Sequence, residues 1–159
     1  MNYTIREIQA SDNQQVEQII RSCLIEYGGD HEGTAWMDPD LGRFSEVYHV
    51  EGRKYWVVES EDQRVVGGVG VGPLPGEDGV CELQKMYCLT EIRGIGIAQQ
   101  LINIALSYAK EYYSKCYLET LENMVAAQKF YEKNGFERIE EFLGSTGHNA
   151  CDVKYLKIL

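Results

Sequence analysis

The sequence predicts an α/β domain built on a mixed sheet. Three observations lead there: β-rich runs such as KYWVVE, RVVGGVGV and CYLETL, two long stretches with apolar residues at helical spacing, and Gly- and Pro-rich turns between them. Tyr3 to Ile8 opens the chain as a strand, with Tyr3, Ile5 and Ile8 apolar. Ser11-Asp12 then reads as the cap of a helix whose Val16, Ile19, Ile20, Cys23 and Leu24 fall on one face, ending at Gly28-Gly29. From Asp30 to Lys54 the pattern breaks, with one short helix expected around Gly42 to Tyr48. That aromatic-rich segment reads equally as the cover of a pocket or as a packed connection.

Lys54 to Glu59 and Arg64 to Val71 form a hairpin about the polar turn Ser60 to Gln63. A second turn, Pro73 to Gly79, leads to a strand from Val80 to Leu89. A helix follows Arg93, then a strand from Cys116 to Leu121 and a helix from Met124 to Lys133 closed by Asn134-Gly135. Strands near Phe136 to Phe142 and Asp152 to Ile158, separated by the Gly144 to Asn149 turn, complete the order.

The 159 residues fit a single domain over 1–159, long enough to bury a core without staples. With 15 basic against 25 acidic side chains the net charge is −10, which repels polyanions and argues against a nucleic-acid partner. The N-terminus lacks the order of a signal peptide and no apolar run reaches membrane-spanning length, so the expected location is the cytoplasm, with no membrane partner. Cys23, Cys81, Cys88, Cys116 and Cys151 are scattered without a C-x-x-C, the pattern of reduced core thiols rather than of disulfides or a metal site; no metal is expected.

The most informative stretch is EIRGIGIAQQLINIAL. Two glycines at a helix start cost about 0.8 to 1 kcal/mol each relative to alanine, so the backbone itself is a candidate functional group. Helix N-termini present unpaired N–H groups and a positive dipole end to an anion, and the apolar stripe Ile97, Leu101, Ile104, Ala105 and Tyr108, with Ala98, Ile102 and Ala109 beside it, anchors this one on the sheet. A P-loop is excluded, because Ile97 and Ala98 follow Gly96 where lysine and a hydroxyl are needed. The dinucleotide fingerprint fails at Gln99. Close strand–helix packing is the alternative structural explanation for the glycines.

Arg93-Gly94-Ile95-Gly96-Ile97-Ala98 resembles the [Gln/Arg]-x-x-Gly-x-[Gly/Ala] signature of the GNAT superfamily of N-acetyltransferases. The preceding Glu82 to Leu89 resembles that family's fourth strand, and FYEKNGF from Phe130 to Phe136 its F-Y-x-K-x-G-F segment. The resemblance implies the GNAT fold: a mixed, mostly antiparallel central sheet of about seven strands flanked by helices and splayed between strands four and five. It implies acetyl-coenzyme A as co-substrate, its pyrophosphate held by Arg93, Gly94, Ile95, Gly96, Ile97 and Ala98, and its pantetheine arm along Met86, Tyr87 and Cys88.

The implied chemistry moves an acetyl group from a thioester to a primary amine, which needs a base, donors for the oxyanion and a proton for the thiolate. Glu82 occupies the family's base position. With regular pairing, Glu82, Gln84, Met86 and Cys88 share one face. Tyr131 occupies the position of the family's general acid, and a backbone N–H near Met86 or Tyr87 that of the oxyanion donor. The asparagine that family members often carry seven residues before this tyrosine is Met124 here; Asn123, one residue earlier, is expected either to contact the cofactor or to cap the helix.

The acceptor pocket is expected between the aromatic loop and the Gly144 to Asn149 turn, with Trp36, Asp38, Tyr48 and His148 as candidates and an acidic balance suited to a cationic amine. A small-molecule amine is the expected acceptor. A protein lysine or N-terminus, and a coenzyme A sensor without chemistry, are the alternatives; a homodimer is expected by analogy alone.

Overall fold

A computed structural model describes residues 2–159. The chain runs β1 (Tyr3–Glu7), α1 (Asn13–Glu26), α2 (Phe44–Val47), β2 (Lys54–Ser60), β3 (Val65–Pro73), β4 (Val80–Cys88), α3 (Ile97–Tyr112), β5 (Lys115–Thr120), α4 (Val125–Lys133), β6 (Glu137–Ile139) and β7 (Val153–Ile158). The strands form one seven-stranded sheet ordered β1-β2-β3-β4-β5-β7-β6. Every pairing is antiparallel except β4 with β5. The mixed, mostly antiparallel sheet expected from the sequence is therefore present.

Two cores cover the two faces. Val16, Ile19, Ile20, Cys23 and Leu24 of α1 pack with Phe44, Tyr48, Tyr55 and Val57, as their helical spacing predicts. On the opposite face, Ile97, Leu101, Ile102, Ala105 and Ala109 of α3 pack on Val66, Val69, Val71 and Leu83, joined by Tyr131 of α4. The α3 stripe is rotated slightly from expectation, since Ile102 and Ala109 are fully buried whereas Ile104 and Tyr108 are half-buried. All five cysteines are free thiols. No helix among the described residues is long and apolar enough to cross a membrane.

β4 departs from the regular pairing expected of it. Gly70 pairs with Gln84 but Gly68 pairs with Tyr87, so Val69 faces two residues, Lys85 and Met86, across a bulge. Lys85 takes φ 50°, a left-handed conformation rare for a residue with a side chain. The Tyr55 hydroxyl holds the bulge by donating to Lys85 O at 2.8 Å. Side-chain parity inverts there. Glu82 and Gln84 lie on the α1 side, while Met86 and Cys88 pack with the α3 core; the expectation that all four share a face is corrected.

The parallel pairing is short. Val80, Cys81 and Glu82 pair with Lys115, Cys116 and Tyr117, after which no strand among the described residues pairs with β4 on that side and β5 continues along β7. The sheet opens into a V-shaped gap.

Two boundaries differ from the sequence reading. Asp12 does not cap α1 through its side chain; it is buried, accepting from Gln9 N at 2.7 Å and from Arg6 at 2.8 and 2.9 Å. The strand expected over Phe136 to Phe142 shrinks to Glu137–Ile139, because Phe136 is drawn into the core as its N–H donates to Tyr131 O at the end of α4. Replacing Tyr55 with Phe removes the bond that anchors the bulge. The expected cost is about 1 kcal/mol, read as a fall in Tm of roughly 2–4 °C in thermal denaturation; an unchanged Tm would show that the bulge holds without it.

Candidate active site

The glycine turn is open where the sequence requires it. Gly94 and Gly96 have φ 77° and 87°, conformations that favour glycine, and a Cβ at either would meet nothing within 4 Å. Backbone hydrogen bonding stops at Arg93 N, which donates to Thr90 O at 3.2 Å, and resumes at Gln100 N, which donates to Gly96 O at 3.3 Å. The intervening N–H groups, 94 to 99, have no backbone partner among the described residues. Such a run of donors at a helix N-terminus fits an anionic diphosphate. Gln99 fixes this end of α3 through Asn134, with which it exchanges hydrogen bonds at 2.7 and 3.3 Å.

From this turn an apolar cleft runs between β4 and α4. Its walls are Gly94, Ala98, Met86, Tyr87, Cys88, Met124, Ala127, Phe130 and Tyr131. Every one of the expected cofactor-contacting residues on β4 lines it. Burial pushes the Cys88 thiol up to about 12, so it stays neutral at physiological pH. Arg93 also lines the cleft, but its guanidinium is committed to Glu26 at 2.7 and 2.8 Å and to Cys88 O at 2.9 Å, which ties α1 to the end of β4. Asn123 is exposed and donates to Tyr27 O at 2.7 Å, so it neither caps α4 nor lines the cleft; Met124 does.

The cleft continues through the gap in the sheet. Glu82 to Tyr87 form one wall and Leu118 to Leu121 the other, with Tyr131, His148 and Cys151 at the edges. Glu82 and Tyr131 thus face a common cavity, although they belong to opposite faces of the sheet. Glu82 is 8% exposed; its Oε1 accepts from Gln84 Nε2 at 2.8 Å, and Gln84 Oε1 accepts from the Tyr48 hydroxyl at 2.7 Å. Burial raises the Glu82 carboxyl above the ordinary range, against the opposing bond from Gln84. Burial likewise raises the Tyr131 phenol, which has no hydrogen-bond partner among the described residues and is left as a proton donor.

Beyond Glu82 lies a polar cleft lined by Asp38, Tyr48, Arg53, Pro73, Gln84, Lys85 and His148. His148 Nε2 donates to the Asp38 oxygens at 2.8 and 2.9 Å, and Lys85 Nζ lies 2.8 Å from Asp38. Burial opposes ionisation of Asp38, but these two partners outweigh it and hold the carboxyl below its usual range. Three of the expected acceptor-site residues, Asp38, Tyr48 and His148, meet here. Trp36 does not: the Arg21 guanidinium covers its ring at 4.7 Å, a packing role. Ligand atoms of Glu82, Glu119 and His148 come within 4.8 Å of one another, the spacing of a cation site. Each member is engaged outside the cluster: Glu119 accepts from Tyr117 at 2.6 Å and Thr146 at 2.5 Å, Glu82 from Gln84, and His148 bonds Asp38. The sequence reading missed Lys85, Glu119 and the bridging role of Gln84; only Gln84, two residues from Glu82 on one strand, left a local signal.

The fold and the open seam define a class that comparison with known proteins then specifies. The family described as Acetyltransferase (GNAT) domain matches residues 51–138. The chain belongs to the GNAT family of N-acetyltransferases. It is 43% identical to the Escherichia coli uncharacterized N-acetyltransferase YjgM over 98% of this chain and 94% of that one. A Staphylococcus aureus Mu50 acetyltransferase of the GNAT family superposes with TM-score 0.88 at 22% identity, covering 99% of each chain. The Thermoplasma acidophilum PaiA N-acetyltransferase, solved in complex with coenzyme A, superposes with TM-score 0.73 at 16% identity over the whole of both chains.

The raised Glu82 carboxyl has a consequence for stability. The folded state holds this proton more tightly than the unfolded chain, so the contribution is fully present below the ordinary value of about 4.3 and is lost as pH rises through the folded value. Glu82→Gln is therefore expected to raise Tm relative to wild type at pH 8 and to lose that advantage near pH 4. Melting curves across pH that run parallel for the two proteins would contradict the buried-carboxylate assignment.

Proposed function

We propose that this chain, as one domain over residues 1–159, transfers the acetyl group of acetyl-coenzyme A to the primary amine of a small-molecule acceptor. The observation that carries this is the continuity of the cavity: unpaired amides at one end, Tyr131 and Glu82 at the middle, and a polar cleft at the other. Acetyl-coenzyme A supplies an activated acyl group. In this reading the N–H groups that follow Arg93 bind its diphosphate, and Met86, Tyr87 and Cys88 border its arm. Arg93 contributes through position, holding α1 against the turn, because its guanidinium is paired with Glu26.

Glu82 takes the proton from the acceptor ammonium, directly or through water, so that the amine attacks as a neutral nucleophile. A new N–C bond forms as the C–S bond breaks; Tyr131 gives its proton to the departing sulfur, and the second proton shed by the nitrogen restores the phenol, leaving the amide and the free thiol. A backbone N–H near Met86 or Tyr87 stabilises the charge that develops on the carbonyl oxygen. The raised carboxyl suits a base working near neutrality, since a stronger base drives proton removal harder. The acceptor cleft is a concavity between the loop after α1 and the turn that carries Ser145, Thr146 and His148, a setting suited to a small amine.

Thiol release measured against a panel of amines tests the reading. Glu82→Gln and Tyr131→Phe are each expected to lower kcat/KM by about 10²–10⁴-fold while leaving acetyl-coenzyme A binding in place. The rising acid limb of the wild-type pH profile should disappear in Glu82→Gln. Full turnover in both variants would remove these side chains from the mechanism.

A further inference from the structure

The polar cleft beyond Glu82 is lined by a cation, Arg53, that no described side chain pairs with. Of the other arginines, Arg6, Arg21, Arg43, Arg64 and Arg93 sit in ion pairs and Arg138 is exposed on β6. Arg53 is half-buried, lines the cleft beside Tyr48 and makes no side-chain hydrogen bond or ion pair with any described residue. The carboxylates that share this cleft are already engaged: Asp38 by Lys85 and His148, Asp40 by Arg43 at 3.3 Å, and Glu82 by Gln84. In a chain with 25 acidic and 15 basic side chains, Arg53 is thus a half-buried guanidinium in this cleft whose donor fork no described carboxylate occupies.

Arg53 is also firmly placed. The Tyr113 hydroxyl donates to Gly52 O at 2.7 Å, the Tyr108 hydroxyl donates to Arg53 O at 3.2 Å, and Gly52 N donates to the Tyr108 hydroxyl at 3.1 Å. These bonds clamp the backbone at the entry to β2. Arg53 and Tyr48 line the same cleft, and the Tyr48 hydroxyl reaches Gln84 and through it Glu82. One cleft therefore offers both a proton acceptor for an amine, Glu82, and a fork of donors for a planar anion, Arg53.

We infer that the acceptor is an α-amino acid, whose carboxylate pairs with Arg53 while its amine is presented to Glu82. This rests on the acetyl-transfer reading and selects among the small amines it admits: a polyamine has no carboxylate to give Arg53, and an amino sugar offers only neutral hydroxyls. Arg53 acts here as a specificity-determining residue. A guanidinium matches a carboxylate through two parallel hydrogen bonds, which a lysine cannot reproduce.

The test is thiol release with wild-type protein and acetyl-coenzyme A, using the α-amino acids each beside its own α-amide. The expected result is at least one pair in which kcat/KM favours the acid by about tenfold or more. In Arg53→Gln that ratio should fall to about one, through KM rather than kcat, with Arg53→Lys between the two. Calorimetry with acetyl-coenzyme A shows that the variants remain folded and loaded. Amides used as well as acids throughout, or simple amines preferred to both, overturns the inference and leaves acetyl transfer standing. Thiol release from no amine at all overturns the acetyl-transfer reading and this inference with it.

Discussion

The loss of pairing between β4 and β5 beyond Glu82 and Tyr117 is the constraint on which the rest of the molecule depends. A sheet that stayed zipped beyond that pair would separate the two faces and close the cavity that Glu82 and Tyr131 both line. Three residue pairs hold the strands together at one end; past them, the strands diverge and leave a passage from the α3 side to the α1 side. An open seam exposes backbone polar groups that must find partners. Arg93 and Cys23 both turn toward Cys88 O, Tyr55 takes Lys85 O, and β7 satisfies the other edge of β5. The opening is thus supported by side chains from several elements.

The bulge at Lys85 is the second half of the same device. By inverting parity within β4, it lets a single strand present Glu82 and Gln84 to the polar cleft and Met86 and Cys88 to the apolar one. Lys85 itself, turned by the bulge, reaches Asp38 and brings the loop after α1 onto the sheet. The same strand therefore borders both clefts, and the cavity in the gap that shares walls with each lies where the parity changes. Tyr131 joins them from α4, packed against Phe130 and Phe136, which orients its ring without occupying its hydroxyl.

What was legible in the sequence was local. The order of strands and helices, the α1 face from Val16 to Leu24 and the glycine turn before Ile97 all follow from spacing along a few turns of chain. The family motif added Glu82 and Tyr131, which proved to border one cavity. What was not legible depended on contacts between distant residues. The bulge at Lys85 is anchored by Tyr55, thirty positions away, and no alternation of apolar residues betrays it. Asp38 and His148 are 110 positions apart, and Arg93 is committed to Glu26 by the docking of α1, so neither pairing has a local signature. Asn123 was expected at the cofactor because of its neighbourhood in sequence, but the turn before α4 sends its side chain to Tyr27. A one-residue offset was enough to exchange it for Met124.

The central claim is that the unpaired amides following Arg93 grip the diphosphate of acetyl-coenzyme A and thereby set its thioester in the open seam. Backbone amide NMR during titration with coenzyme A addresses it most directly. The account predicts saturable shifts concentrated at Gly94 to Ala98, with a second group along Met86 to Cys88. Binding without movement of the Gly94 to Ala98 amides, or shifts clustered on another surface, would contradict it.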